Sequence, residues 1–192
     1  MKGEPDGKRR RRAGEELCRF RVKRGNSVRP AAEAIERVGL LCAPGLEGLL
    51  PELRRGLVRI YPSLVLREDP PRQVAEAAWD GWLGAAAVRQ LLEELAPAAG
   101  EMKLWVVDCR LADGVYPSLA GAAGDRAAVV STVWSGEVEG LLSTAAHEVG
   151  HLLGLEHCDK ACLMHQVTTP QAARQRPLDL CEECRERLSD KS

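Results

Sequence analysis

What this chain lacks narrows it first. No apolar run is long enough to span a bilayer; the best stretch, Leu141 to Leu155, carries His, Glu and His inside it. The N-terminal residues are charged and contain no apolar h-region, so no secretory signal is expected and a cytoplasmic protein is. Net charge is almost nil, −1 at pH 7 from 27 Lys and Arg against 28 Asp and Glu. The whole-molecule balance therefore points to neither nucleic acid nor a membrane surface. There is no internal repeat. What remains, at 192 residues and ordinary apolar content, is one domain with a proper core and room for a small appendage.

Cysteine is not scarce. Seven cysteines without a secretory signal point away from a disulfide framework. Cys18, Cys42 and Cys109 are scattered and read as small buried hydrophobes. Cys158, Cys162, Cys181 and Cys184 crowd the last quarter and read as ligands.

Against that background one stretch stands out, His147-Glu148-Val149-Gly150-His151-Leu152-Leu153-Gly154-Leu155-Glu156-His157-Cys158, in the pattern H-E-x-x-H-x-x-G-x-x-H-C. Histidines four apart on a helix share a face. Neutral imidazoles on one face make two legs of a tetrahedral zinc site. Gly154 can end the helix by entering the left-handed conformation, which lets His157 return to the same metal. Three protein ligands leave a fourth position open, as in a catalytic zinc. Glu148 is then the candidate general base for water that zinc has acidified toward a pKa of about 7. The flanking periodicity agrees. Val138, Leu141, Leu142, Ala145, Val149, Leu152 and Leu153 make an apolar stripe, and His147 and His151 fall opposite it, toward an expected cleft. A helix with idle surface histidines would need all of these features to coincide.

A second metal site follows. Cys181-x-x-Cys184 is a zinc-knuckle pair, and Cys158 with Cys162 would complete a closed four-cysteine site, structural because no position is left open. The tail beyond Gly154 has too few apolar residues to hold a fold alone, and a metal can supply that stability. Free surface thiols are the rival reading.

The rest of the chain reads as alternating strands and helices. Residues 1–16, with the run Lys8 to Arg12, read as a disordered basic tail. Leu17 to Arg24 alternates as a half-buried strand. Pro30 opens a helix with a face of Ala31, Ala34, Ile35 and Val38, ended by Gly39. Leu46 to Leu53 gives a helical turn or two interrupted by Pro51. Leu57 to Leu66 reads as a strand, and Arg72 to Leu95 as helix, clearest over Ala85, Val88, Leu91, Leu92 and Leu95, with Trp79 and Trp82 either core or cleft wall. Lys103 to Cys109 is an apolar strand, Ala112 to Asp125 a Gly-rich loop, and Ala127 to Trp134 a β-branched strand. Ser135 is the expected cap of the histidine helix, with Glu137 and Glu139 suiting its positive end. The class is α/β with a mixed sheet.

Together, His147-Glu148-x-x-His151-x-x-Gly154-x-x-His157-Cys158, Cys162-x-Met164 and Cys181-x-x-Cys184 resemble the archaemetzincins, a branch of the metzincin zinc metallopeptidases. The resemblance covers about the last quarter of the chain. It implies a metzincin-like fold: an upper part over 17–154, with a twisted mixed sheet, packing helices and the active-site helix, and a lower part over 155–192. The lower part would hold His157, Met164 as a Met-turn floor, and the structural zinc. By the same analogy Ala127 to Trp134 would be the edge strand along the cleft, where a peptide could add as a further strand. His165 stands where many metzincins place a Tyr near the Met-turn, and either faces the cleft or lies on the surface.

The expected function is that of a zinc metallopeptidase hydrolysing peptide bonds, with two zinc ions, a peptide or protein substrate and no membrane partner. The alternative is a non-catalytic, zinc-stabilised peptide- or protein-binding module, against which Glu148 argues. A nucleic-acid-binding zinc protein using the basic tail is the weakest reading.

Overall fold

The computed structural model of the chain describes residues 37–75, 79–80, 85–95, 97–113, 118–135, 137–167 and 169–190. The basic tail, the strand expected over 17–24, the opening of the helix expected at Pro30, and Trp82 lie outside them.

Four parallel strands form the centre: β1 (Arg37–Cys42), β2 (Val65–Glu68), β5 (Glu101–Val107) and β8 (Ala127–Ser131). The antiparallel edge strand β7 (Gly121–Ala123) completes a mixed sheet in the order β2-β1-β5-β8-β7. A smaller sheet joins β3 (Trp79–Asp80), β4 (Ala85–Ala87) and β6 (Leu111–Ala112). The expected α/β class with a mixed sheet is borne out, with helices on both faces of the main sheet.

Alternation along the strands sorts their side chains to two cores. Val38, Leu40, Leu104, Val106, Ala128 and Val130 face α1 (Leu50–Ile60) and α4 (Val138–Leu152). Leu41, Trp105, Val107 and Val129 face α2 (Val88–Leu95). From α4, Leu141, Ala145, Val149 and Leu152 are all but fully buried in the first core. Each leucine so buried contributes about 1.5–3 kcal/mol. Shorter helices among the described residues include α3 (Thr132–Ser135), α5 (Pro170–Gln175) and α6 (Glu182–Ser189).

Several local expectations need correction. Val38 and Gly39 belong to β1, where they pair with both β2 and β5, and do not end a helix. Leu57 to Ile60 is the last turn of α1, because Leu50, Leu53 and Leu57 bury one helical face; the strand begins only at Val65. Pro51 opens α1 and does not interrupt it, as its missing N–H is harmless there. Among the described residues of 72–95 only Val88–Leu95 is helical; 72–75 are irregular, and β3 and β4 precede the helix. The Gly-rich loop contains β7, and β8 is therefore internal and not the edge. Ser135 does not cap α4. It closes α3, its hydroxyl donating to the Ser131 carbonyl at 2.8 Å, and Glu137 is the cap position.

Candidate metal centres and active site

α4 lies between the sheet and the C-terminal segment, so its histidine face is covered more than the stripe alone predicts: His147 and Glu148 are buried, and His151 is half-buried. The helix ends as its sequence demands. Gly154 has φ +86°, the left-handed region. Its N–H donates to the His151 carbonyl at 2.9 Å, and the Leu155 N–H donates to the Gly150 carbonyl at 2.8 Å. This is a Schellman pair, which turns the chain back under the helix and brings His157 to the other two imidazoles.

The imidazoles are oriented from behind. His147 Nδ1 lies 2.9 Å from the Leu163 carbonyl, and His151 Nδ1 lies 2.9 Å from the Leu155 carbonyl. A carbonyl only accepts, so Nδ1 carries the proton in both rings and Nε2 presents a bare lone pair. These lone pairs converge: His151 Nε2 is 3.1 Å from His147 Nε2 and 3.3 Å from His157 Nε2. Nitrogens held at 2.0–2.1 Å from one tetrahedral zinc stand about 3.3 Å apart. Acceptors facing one another at that spacing repel unless a cation lies between them, so the donor set fits zinc. Burial holds the His147 imidazole well below its ordinary value, and burial with the Arg176 charge lowers His157. Both rings are thus kept neutral, the form that ligates.

Glu148 turns to the neighbouring side, where its stem touches edge strand β7; a side chain at residue 121 would come within 3.0 Å of its Cγ. Burial pushes its carboxyl up to about 8, with the Arg176 charge pulling the other way.

The four cysteines also come together. Cys158 and Cys181 Sγ are 3.7 Å apart, as are Cys162 and Cys184 Sγ. Thiolates at 2.3 Å from a tetrahedral zinc stand about 3.8 Å apart, whereas a disulfide needs about 2.05 Å. Backbone N–H groups of Met164 and Cys181 donate to Cys162 Sγ at 3.5 and 3.2 Å, and that of Lys160 to Cys158 Sγ at 3.5 Å. The backbone N–H of Cys184 brings the Cys181 thiol down to about 7, while burial raises Cys184. Cys42 and Cys109 are buried and stand apart from the cluster, as read from the sequence.

Met164 is fully buried against α4 at Gly150. Its thioether occupies the space that a side chain at Gly150 would need, so α4 and the turn at 162–164 approach to contact. His165 is exposed and lies against the Cys158 carbonyl, 3.1 Å from Nδ1.

Arg176 went unseen in the sequence, where it is one more arginine in a polar stretch. Thr169 caps α5 by accepting the Ala172 N–H at 3.1 Å, and Pro177 ends the helix by forcing Arg176 to extended geometry, φ −64°, ψ 133°. From there the half-buried guanidinium turns onto α4, one turn before His147, where Nη1 donates to the Ser143 carbonyl at 3.4 Å. The Arg–Pro pair was the available signal, since it fixes where the arginine leaves the helix.

Residues 138–190 match the profile of Peptidase family M54. Among characterised proteins, the archaemetzincin of Archaeoglobus fulgidus is 36% identical over 50 residues, 26% of this chain and 31% of that protein. The archaemetzincin of Pyrobaculum aerophilum is 29% identical over 115 residues, 55% of this chain and 72% of that one. The sequence match to the first of these thus spans less than a third of its length. The fold likeness is wider. The crystal structure of the Methanopyrus kandleri archaemetzincin superposes with a TM-score of 0.73 at 20% identity, over 84% of this chain and 98% of that one. The A. fulgidus structure, complexed with malonate, gives 0.72 at 21% identity, over 78% and 98%. No helix among the described residues is long and apolar enough to cross a membrane.

Proposed function

We propose, for a chain that is archaemetzincin-like in sequence signature and in fold, the activity of a zinc metallopeptidase that hydrolyses peptide bonds, with Glu148 as general base. The observation that carries the reading is the convergence of three Nε2 atoms, two of them fixed as bare lone pairs, with a buried carboxylate next in the chain to the first of those histidines.

His147, His151 and His157 would hold the catalytic zinc, and Cys158, Cys162, Cys181 and Cys184 a second, structural one, two ions per chain. Zinc held by the imidazoles supplies Lewis acidity, polarising a carbonyl and acidifying water. Glu148 accepts the proton of the attacking water on a carboxylate oxygen and returns it to the amine nitrogen as the C–N bond breaks. In the metal-free chain burial raises this carboxyl to about 8, and a cation held by the imidazoles would draw it back toward the ionised form that accepts the proton. The Leu163 and Leu155 carbonyls hold two imidazoles in the ligating tautomer throughout. Strand β7, at the sheet edge and against Glu148, offers the backbone on which a peptide could add. The organisation that goes with this is an upper part, 17–154, and a lower part, 155–192, divided at the Gly154 turn. A reducing compartment, the cytoplasm, is proposed with it, since thiols remain available as metal ligands there.

The test is hydrolysis of a quenched peptide library by zinc-loaded protein and by Glu148→Gln. Cleavage by the wild type, lost in the variant with both zinc ions retained, is expected. Zinc retention with no cleavage by either protein would favour the binding module.

A further inference from the structure

Buried arginines ordinarily have their donors satisfied. Arg176 does not. Its Nε is shut off from solvent with no hydrogen-bond partner, and its bond to the Ser143 carbonyl is long, at 3.4 Å. No carboxylate among the described residues forms an ion pair with it. Yet it stands within electrostatic reach of Glu148, His147 and His157, on the α4 face that carries the imidazoles. A guanidinium fork left open beside a reaction centre matches one chemistry above others, a carboxylate bound by two parallel N–H donors.

We propose that Arg176 is a specificity-determining residue that binds a substrate carboxylate next to the scissile bond, so that the preferred substrates are peptides bearing a carboxylate there. The inference rests on the peptidase reading above and names its substrate class. The carboxylate comes from an acidic side chain or from a free C-terminus. Either would approach the half-buried guanidinium from its Nη end, since the Nε itself is closed to solvent. Lysine could not replace this function fully, because an ammonium supplies charge without the fork.

The test uses the zinc-loaded full chain and two sets of matched peptides. One set exchanges Glu for Gln at each position flanking the bond; the other exchanges a C-terminal acid for its amide. Cleavage is read as kcat/KM. Binding is read by fluorescence anisotropy on the same peptides with a methylene-amine group in place of the scissile amide. Wild type is expected to prefer one carboxylate set by about tenfold to a hundredfold. Arg176→Met should lose that preference, read as the acid-to-neutral ratio within each protein, and Arg176→Lys should keep part of it. The set that shows the preference identifies the source. Equal binding of acid and neutral peptides by wild type overturns the inference, as does a preference that survives in Arg176→Met, since the zinc would then be its cause. Should Arg176→Met fail to fold, the comparison of wild type with Arg176→Lys decides: full retention in the lysine variant overturns the fork. Absence of cleavage with an Arg176-dependent binding preference would remove the peptidase reading and leave only the recognition of a peptide carboxylate by Arg176.

Discussion

At position 148 a carboxylate is buried against its own preference, and the consequence has a sign. Its pKa rises from 4.5 in the unfolded chain to about 8 in the folded one. Between those values the unfolded chain has released the proton and the folded chain retains it, so this group makes the metal-free protein less stable as pH rises. Glu148→Gln should therefore raise the melting temperature of metal-free protein, by more at pH 8 than at pH 5, while lowering peptide hydrolysis about 10²–10⁴-fold. Scanning calorimetry at the two pH values with a parallel turnover assay checks both. His147 and His157 shift oppositely, burial holding them below 6.5. Unfolded imidazoles then take protons before folded ones, so these groups withdraw stability as pH falls below 6.5. For the same reason protonation of His147 and His157 should begin to weaken zinc binding only at pH values below 6.5. A chromophoric chelator titration reads that directly.

Among the elements, the turn closing α4 carries the most. A Cβ at residue 154, with φ +86°, costs about 1–2 kcal/mol in the left-handed region. Gly154→Ala should lose that much stability and, by re-aiming His157, weaken zinc binding at the histidine site while leaving the four-cysteine site loaded. Denaturant melts and zinc counts separate the two effects. This helix was the most legible element in the sequence because its stripe, its histidines and its terminating glycine state one answer three ways. Leu57 to Leu66 misled because its β-branched residues suit a strand locally, while Leu50, Leu53 and Leu57 are drawn into a helix by the sheet beneath them. β7 was invisible for a related reason. Gly121, Ala122 and Ala123 carry no strand propensity, and pairing with β8 alone makes them a strand. Arg176 shows the limit for the site itself. The metal donors follow from spacing along the chain, whereas a side chain that arrives from well past the end of the helix, at residue 176 against Leu152, has no periodicity to betray it.

Taken whole, the molecule depends on its last segment. Leu155, Leu163, Met164 and Leu180 join the same core as α1, α4 and one face of the sheet. A structural zinc contributes about 10–16 kcal/mol in small zinc domains, comparable with the entire margin of a folded domain. Replacing Cys181 and Cys184 with Ser should lower zinc from two ions to about one per chain and open the segment from residue 155 onward to proteolysis. Elemental analysis and limited digestion followed by mass spectrometry check both.

Three consecutive residues join the two centres. Cys162 offers its sulfur to the thiolate cluster, Leu163 holds the His147 ring by its carbonyl, and Met164 fills the hollow under Gly150. On the proposed reading the cysteine cluster would act as a remote fuse: an oxidant or chelator that never reached the cleft would disturb the His147 ring by loosening the short bridge between them.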